Sequence, residues 1–189
     1  DTERNRACQG MTLAEIAAGR GTPPVETVLD LLVEERMDAG MVGFGMCEED
    51  VSRVLAHPVA TIGSDSAAAA PYGILGQGHP HPRTYGSFAR VLGHYARDEE
   101  LFSLEDAVAK MTSRPAAHLG LTDRGRIAPG DAADIAIFDP AKIADTATYQ
   151  YPKQYAGGVR WVIVNGVIEL DGEEHQERFA GRVLERPGR

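Results

Sequence analysis

Apolar and polar residues follow two different rhythms along this chain. Up to about residue 120 the rhythm is helical, interrupted by short apolar runs, and beyond about 125 it shifts to the two-residue period of strands. Thr12-Leu13-Ala14-Glu15 has capping-box form, Thr at the cap and Glu three residues on. It predicts a short helix to about Ala18, stopped by Gly19 and Gly21. Pro23-Pro24 suits the first turn of a second helix, whose Val25, Val28, Leu29 and Leu32 form an apolar stripe. Gly40-Met41-Val42-Gly43-Phe44-Gly45 reads as a buried strand. Glu48, Glu49 and Asp50 stand where a helix dipole favours acids, so a third helix runs to about Ala56 and ends at His57-Pro58. Val59–Gly63 then predicts a second strand. Helix, helix, strand, helix, strand with short joins is the grammar of a parallel sheet.

From Ser64 to Arg83 no periodicity is visible. Loops of this length are uncommon and are usually functional or disordered. A helix follows from about Tyr85 to Arg97, Ser103 caps another through about Thr112, and Pro115 opens a third ending near Gly120. Pro129-Gly130 is a turn, after which Asp134–Phe138, Val159–Val164 and Val167–Leu170 read as strands. Asn165-Gly166 between the last two is the strongest short hairpin signal, and Asp171-Gly172 turns the chain again. The chain thus divides into an α/β body, residues 1–124, and a small β region, residues 125–189, with no internal repeat.

Composition narrows the function classes. The 189 residues are 43 % hydrophobic and 25 % charged, an ordinary globular balance for one or two domains. A net charge of −9 with no basic stripe argues against nucleic acid as a partner. Arg178, Arg182, Arg186 and Arg189 alternate with acids and read as a solvated tail. Cys8 and Cys47 form no CxxC pair, which argues against a disulfide framework or a cysteine zinc site and fits a reducing cytoplasm. No apolar run approaches the ~20 residues needed to span a bilayer, and no signal peptide is visible. The opening Asp1-Thr2-Glu3-Arg4, without Met, fits a fragment or a processing scar.

Asp65 is the leading chemical candidate. The run Val59-Ala60-Thr61-Ile62 ends in Gly63-Ser64-Asp65, placing a carboxylate at the C-terminal lip of a strand, where catalytic groups of a (β/α)8 barrel sit. The plainer alternative is an ordinary Asx turn. His79-Pro80-His81 spells HxH, but alternate residues project together only on a strand and the flanking prolines argue against a paired one. Loop packing at a site rim is the better reading. His57 reads as a helix end, His94 and His118 as packing or surface groups, and His175 as part of a charged tail. Cys47 suits capping or packing better than nucleophilic attack, since no base is assigned to it. Gly43 and Gly45 are a weak sign of close backbone approach to a ligand.

Three longer stretches carry a resemblance. Arg124-Gly-Arg-Ile-Ala-Pro-Gly-Asp-Ala-Ala-Asp-Ile-Ala-Ile-Phe-Asp139 resembles the segment that leads an amidohydrolase out of its barrel into its β-sandwich. Val159-Arg-Trp-Val-Ile-Val-Asn-Gly-Val167 resembles the hairpin that completes it. His81-Pro-Arg-Thr-Tyr-Gly-Ser-Phe-Ala-Arg-Val-Leu-Gly93, with Gly63-Ser64-Asp65 before it and Ser103–Val108 after it, is similar to the N-acyl-D-amino-acid deacylases (D-aminoacylases). Glu3-Arg4-Asn5, Thr12–Ile16 and Glu48–Val51 also fit. The resemblance covers nearly the whole chain but only the last part of the family's length. The family's HxH motif, its Cys or Lys ligand and its two later histidines do not occur here in the expected order.

The resemblance implies the C-terminal portion of a (β/α)8 amidohydrolase barrel, residues 1–124, plus part of a small β-sandwich domain, residues 125–189. It implies hydrolysis of N-acyl-D-amino acids to a carboxylate and a D-amino acid, with zinc bound mainly by segments absent here. Asp65 then matches the family's metal-contacting aspartate, which takes a proton from zinc-activated water and passes it to the leaving amine. Arg83 matches the arginine that grips the substrate carboxylate, a task suited to its planar fork. On this reading the chain alone is catalytically incomplete. A cyclic amidohydrolase of the dihydropyrimidinase or hydantoinase type also fits the aspartate and the hairpin, while His81-Pro82-Arg83 favours the deacylase. A non-catalytic module is the third reading: half a barrel exposes strand edges, which attract a second copy or a missing N-terminal segment.

Overall fold

Contacts divide the chain into two compact units, residues 1–45 and 46–189. The computed structural model describes residues 3–185. In the first unit a 3-10 turn (Arg6–Cys8) precedes helices α1 (Leu13–Arg20) and α2 (Pro24–Glu34). The capping box forms as the sequence predicts: Glu15 N–H donates to Thr12 Oγ1 at 3.3 Å, and Thr12 N–H donates to Glu15 Oε2 at 2.7 Å. Polar groups tie the two helices together. The buried Asn5 amide donates to Glu34 at 2.9 Å and to Glu35 at 2.7 Å. Arg20 Nη2 donates to Asn5 Oδ1 at 2.7 Å and to Glu34 at 3.0 Å. Thr27 is fully buried, its hydroxyl 2.7 Å from that of Thr22 and 3.0 Å from the Pro23 carbonyl.

This polar seam overturns the expected apolar stripe of α2. Val28 and Leu32 are half-buried, but Val25 is 73 % exposed and Leu29 also faces outward. The partner α1 buries only Ala17 and so offers little apolar surface, and the seam is filled by Thr27, Glu35 and Asn5. Residues 40–45 differ from expectation as well. They are exposed and form no strand, with Met41 90 % exposed. A strand needs a neighbour for its N–H and C=O groups, and the first unit supplies none among the described residues.

The second unit holds the main core. Helix α3 (Glu48–Ala56) is followed by the long loop with a 3-10 turn at Ile74–Gly76. Helix α4 (Arg83–Arg90) continues directly into a π-helical segment, Val91–Asp98. Then come α5 (Leu104–Met111), capped by Ser103, whose Oγ accepts from Asp106 N–H at 3.1 Å, and α6 (Ser113–Leu119). Ala89, Val91, Leu92, Tyr95, Ala96, Ala107 and Ile143 form the core, with Val51, Leu55, Phe138 and Val159 packed against it. The Ile143 carbonyl fits closely over Gly93, where a Cβ would lie 2.3 Å from the oxygen. Arg97 Nη1 donates to the same carbonyl at 2.8 Å.

Strands β1 (Ile135–Phe138), β2 (Val159–Val164), β3 (Val167–Asp171) and β4 (Glu174–His175) form an antiparallel meander in the order β1-β2-β3-β4. Val164 pairs with Val167 across the Asn165-Gly166 turn, whose φ angles of 47° and 81° are the double positive that a type I′ hairpin requires. Strand β4 falls where the sequence suggested only a charged tail. Arg186 and Arg189 of that tail lie outside the described residues.

The predicted strand at Val59–Gly63 is not formed, and with it the parallel sheet expected over 12–63 is absent among the described residues. Helix α5 takes the place of a neighbouring strand. Ile62 N–H donates to the Lys110 carbonyl at 3.0 Å, and Lys110 Nζ donates to the His57 carbonyl at 2.6 Å.

Two outcomes test this packing. Gly93→Ala should destabilise the second unit by about 2 kcal/mol, because the carbonyl above it is backbone and cannot swing away; urea unfolding followed by circular dichroism measures it. In the first unit, hydrogen bonds from Asn5 and then Arg20 hold the Glu34 carboxyl below its ordinary range. Its contribution is complete above the ordinary glutamate value and is lost as pH falls through the lowered one. The Asn5 side-chain amide resonances should therefore shift only below that ordinary value, and a transition at the value of an unpaired glutamate would contradict the seam.

Candidate functional site

The loop between α3 and α4 brings the two leading candidates together. Arg83, the first residue of α4, places Nη2 2.8 Å from Asp65 Oδ2. The side chains are 44 % and 87 % exposed, so the pair faces water. Asp65 adopts φ 48°, the left-handed region that Asp tolerates better than most residues. It stands on an irregular segment and not on the lip of a strand, for the reason given above. Ser66 Oγ lies 2.7 Å from Thr84 Oγ1, so the residues following both members of the ion pair are also joined.

The HxH pair serves the loop itself. His79 Nε2 donates to the Tyr149 carbonyl at 2.7 Å. His81 Nδ1 accepts from Arg83 N–H at 3.0 Å, which leaves the proton of the neutral ring on Nε2, 3.3 Å from Tyr149 Oη. The His81 and Tyr149 rings meet edge to face at 5.2 Å. Burial and the neighbouring Arg83 charge push His81 below the ordinary histidine range, which favours that neutral form. Tyr72 Oη lies 2.7 Å from His175 Nδ1, and Lys153 Nζ donates to the Gly76 carbonyl at 2.5 Å. Tyr155 packs edge to face on Tyr85 at 5.9 Å, and burial with a hydrogen bond to Tyr72 pushes its phenol up to about 12.

Sequence reading missed Tyr149, Tyr72 and Lys153 as supports of this loop. Their partners lie far away along the chain, and no local pattern marks them. The remaining candidates take structural places. Cys47 occupies the N-cap position of α3 without a side-chain capping bond to the helix backbone and directs Sγ to Asp50 Oδ2 at 3.3 Å. His57 ends α3, and His94 Nε2 pairs with Glu99 at 3.1 Å. A surface hollow of about 510 Å³ lined by Ser113, Thr122, Arg124 and Arg126 contains neither Asp65 nor Arg83.

The site can therefore offer one exposed carboxylate able to accept and return a proton, and one guanidinium able to grip an anion. It does not make a metal centre alone: no group of three or more His, Cys, Asp or Glu side chains converges among the described residues.

Comparison with known proteins shows the family of the chain. Residues 5–168 match the Amidohydrolase family. A D-aminoacylase of Alcaligenes xylosoxydans xylosoxydans is 45 % identical over 177 residues, covering 94 % of this chain and 34 % of the relative. A crystal structure of D-aminoacylase that defines a novel subset of amidohydrolases is 43 % identical with a TM-score of 0.82, covering 97 % of this chain and 36 % of the other. The N-acyl-D-glutamate deacylase of Bordetella bronchiseptica, solved with zinc and a phosphonate inhibitor, is 39 % identical with a TM-score of 0.73, covering 87 % and 32 %. The chain thus spans about a third of the length of these proteins. Its α/β architecture is that of a portion of the amidohydrolase barrel with a small antiparallel sheet, and the chain belongs to the amidohydrolase family.

Proposed function

We propose that this chain is the part of a zinc-dependent N-acyl-D-amino-acid deacylase that carries its proton-transfer aspartate and its substrate-carboxylate arginine. The observation that carries the reading is the Asp65–Arg83 pair at 2.8 Å, in a chain 45 % identical to a D-aminoacylase. The relatives named above are D-aminoacylases and an N-acyl-D-glutamate deacylase, which favours N-acyl-D-amino acids over cyclic amides as the substrate class. Residues 1–124 would belong to the barrel and 125–189 to the small β domain.

The reaction is hydrolysis of the amide C–N bond, giving the acyl carboxylate and a D-amino acid. Asp65 takes a proton from the attacking water and returns it to the amide nitrogen, a poor leaving group until protonated. Arg83 offers two parallel N–H donors to the α-carboxylate of the substrate. In a protein of net charge −9, that local positive charge is what draws an anionic substrate in. The exposed Asp65–Arg83 pair is worth about 1 kcal/mol or less. An incoming carboxylate can therefore replace Asp65 on Arg83, and the exchange releases Asp65 for proton transfer. Zinc supplies Lewis acidity in reactions of this class. Asp65 would give it one carboxylate ligand, and the others would come from outside the described residues. Cytoplasmic location and self-association of the complete enzyme belong to the same reading. No described helix is long and apolar enough to cross a membrane.

The complete enzyme carrying this segment, loaded with zinc, should release D-amino acids from N-acetyl-D-amino acids and leave the L-forms intact. Asp65→Asn should lower kcat by about a hundredfold or more with little change in KM. Arg83→Ala should act mainly on KM, raising it about tenfold. Chromatographic assay of the released amino acid measures all three. Full activity of the Asp65→Asn enzyme, or a self-associating protein without zinc-dependent turnover, would overturn the proposal.

A further inference from the structure

Lys110 is completely buried, and among the described residues its ion-pair partner is Asp106, whose Oδ2 stands off at 4.0 Å. Its ammonium is directed at main-chain carbonyls. Nζ donates to His57 O at 2.6 Å and more weakly to Ala60 O at 3.4 Å, with the Phe102 ring 5.7 Å away. The Lys110 carbonyl accepts from Ile62 N–H at 3.0 Å. One turn further on, Arg114 Nη1 reaches Pro58 O at 3.4 Å. Residues 57, 58, 60 and 62 are thus all held from α5 and α6, and Asp65 follows three residues after the last of them. On its far side the chain is held again, by Ser66 on Thr84.

Burying an ammonium is costly, and an unbranched apolar side chain of similar length would fill the space without that cost. What it could not do is donate to the His57 and Ala60 carbonyls, the first of which also accepts from Ala60 N–H at 3.0 Å. We propose that Lys110 is a positioning residue: it fixes the 57–62 segment against α5 and thereby sets where the Asp65 carboxylate stands. The proposal rests on the assignment of Asp65 above, and it concerns groups that never touch substrate.

Hydrogen exchange on this chain tests the clamp without reference to activity. In the unaltered chain the Ile62 amide should exchange more slowly than an unprotected amide; exchange at the unprotected rate would overturn the proposal with no variant needed. Lys110→Met should raise exchange of the Ala60 and Ile62 amides by about tenfold or more while leaving Val91–Asp98 unchanged. An equal rise in both segments would show that Lys110 serves general stability only, and no rise in either would also overturn the clamp. In the complete zinc-loaded enzyme, Lys110→Met should lower kcat about tenfold or more with KM within about threefold. Lys110→Arg, which restores donors, should recover most of that loss, and zinc content should not change. Local loosening with unchanged kcat would overturn the positioning role. An unaltered enzyme without deacylase activity would instead sink the proposed function, and the exchange data would still decide the clamp.

Discussion

A backbone carbonyl or amide outside a helix or sheet still needs a hydrogen-bond partner, and that constraint recurs along this chain. Where a sheet is available the partners are strands, as in the four-stranded meander. Where none is available, side chains supply them. Lys110 and Arg114 serve the carbonyls of residues 57, 58 and 60. Arg97 serves the Ile143 carbonyl, which reaches the core only because Gly93 has no side chain. The seam of the first unit follows the same logic, with Asn5, Arg20 and Glu34 satisfying one another where α1 offers little apolar surface.

The site chemistry depends on this scaffolding. Asp65 stands on irregular backbone with positive φ, so no ladder of its own holds it. Its position is inherited from contacts on either side: Ile62 on α5 before it, Ser66 on Thr84 after it. Arg83 gains definition differently, as the first residue of a helix whose next turns enter the core at Ala89, Val91 and Leu92. An exposed carboxylate thus faces a guanidinium anchored on a helix. The two are in direct contact at 2.8 Å on the solvent-exposed surface, where the attraction of an ion pair is weak.

Local signals in the sequence were legible and remote ones were not. The Thr12 capping box, the Ser103 cap and the Asn165-Gly166 hairpin each depend on residues a few positions apart, and each forms as read. The runs at 40–45 and 59–63 have strand composition, yet strandhood belongs to a pair of segments and not to one. Neither pairs with a strand among the described residues. The burial of Lys110 has no sequence signature, because lysine is an exposed residue by habit. Asp65 and Arg83 were singled out through family resemblance, while their direct contact at 2.8 Å had no local signal.

The bridge from Tyr149 to His79 and His81 spans about seventy residues, and the one from Tyr72 to His175 spans 103. Closing such distant contacts carries an entropic cost that local contacts avoid. The loop that displays Asp65 is thus pinned by residues about seventy and 103 positions further along, so a change at Tyr149 or His175 bears on a segment remote from it in sequence.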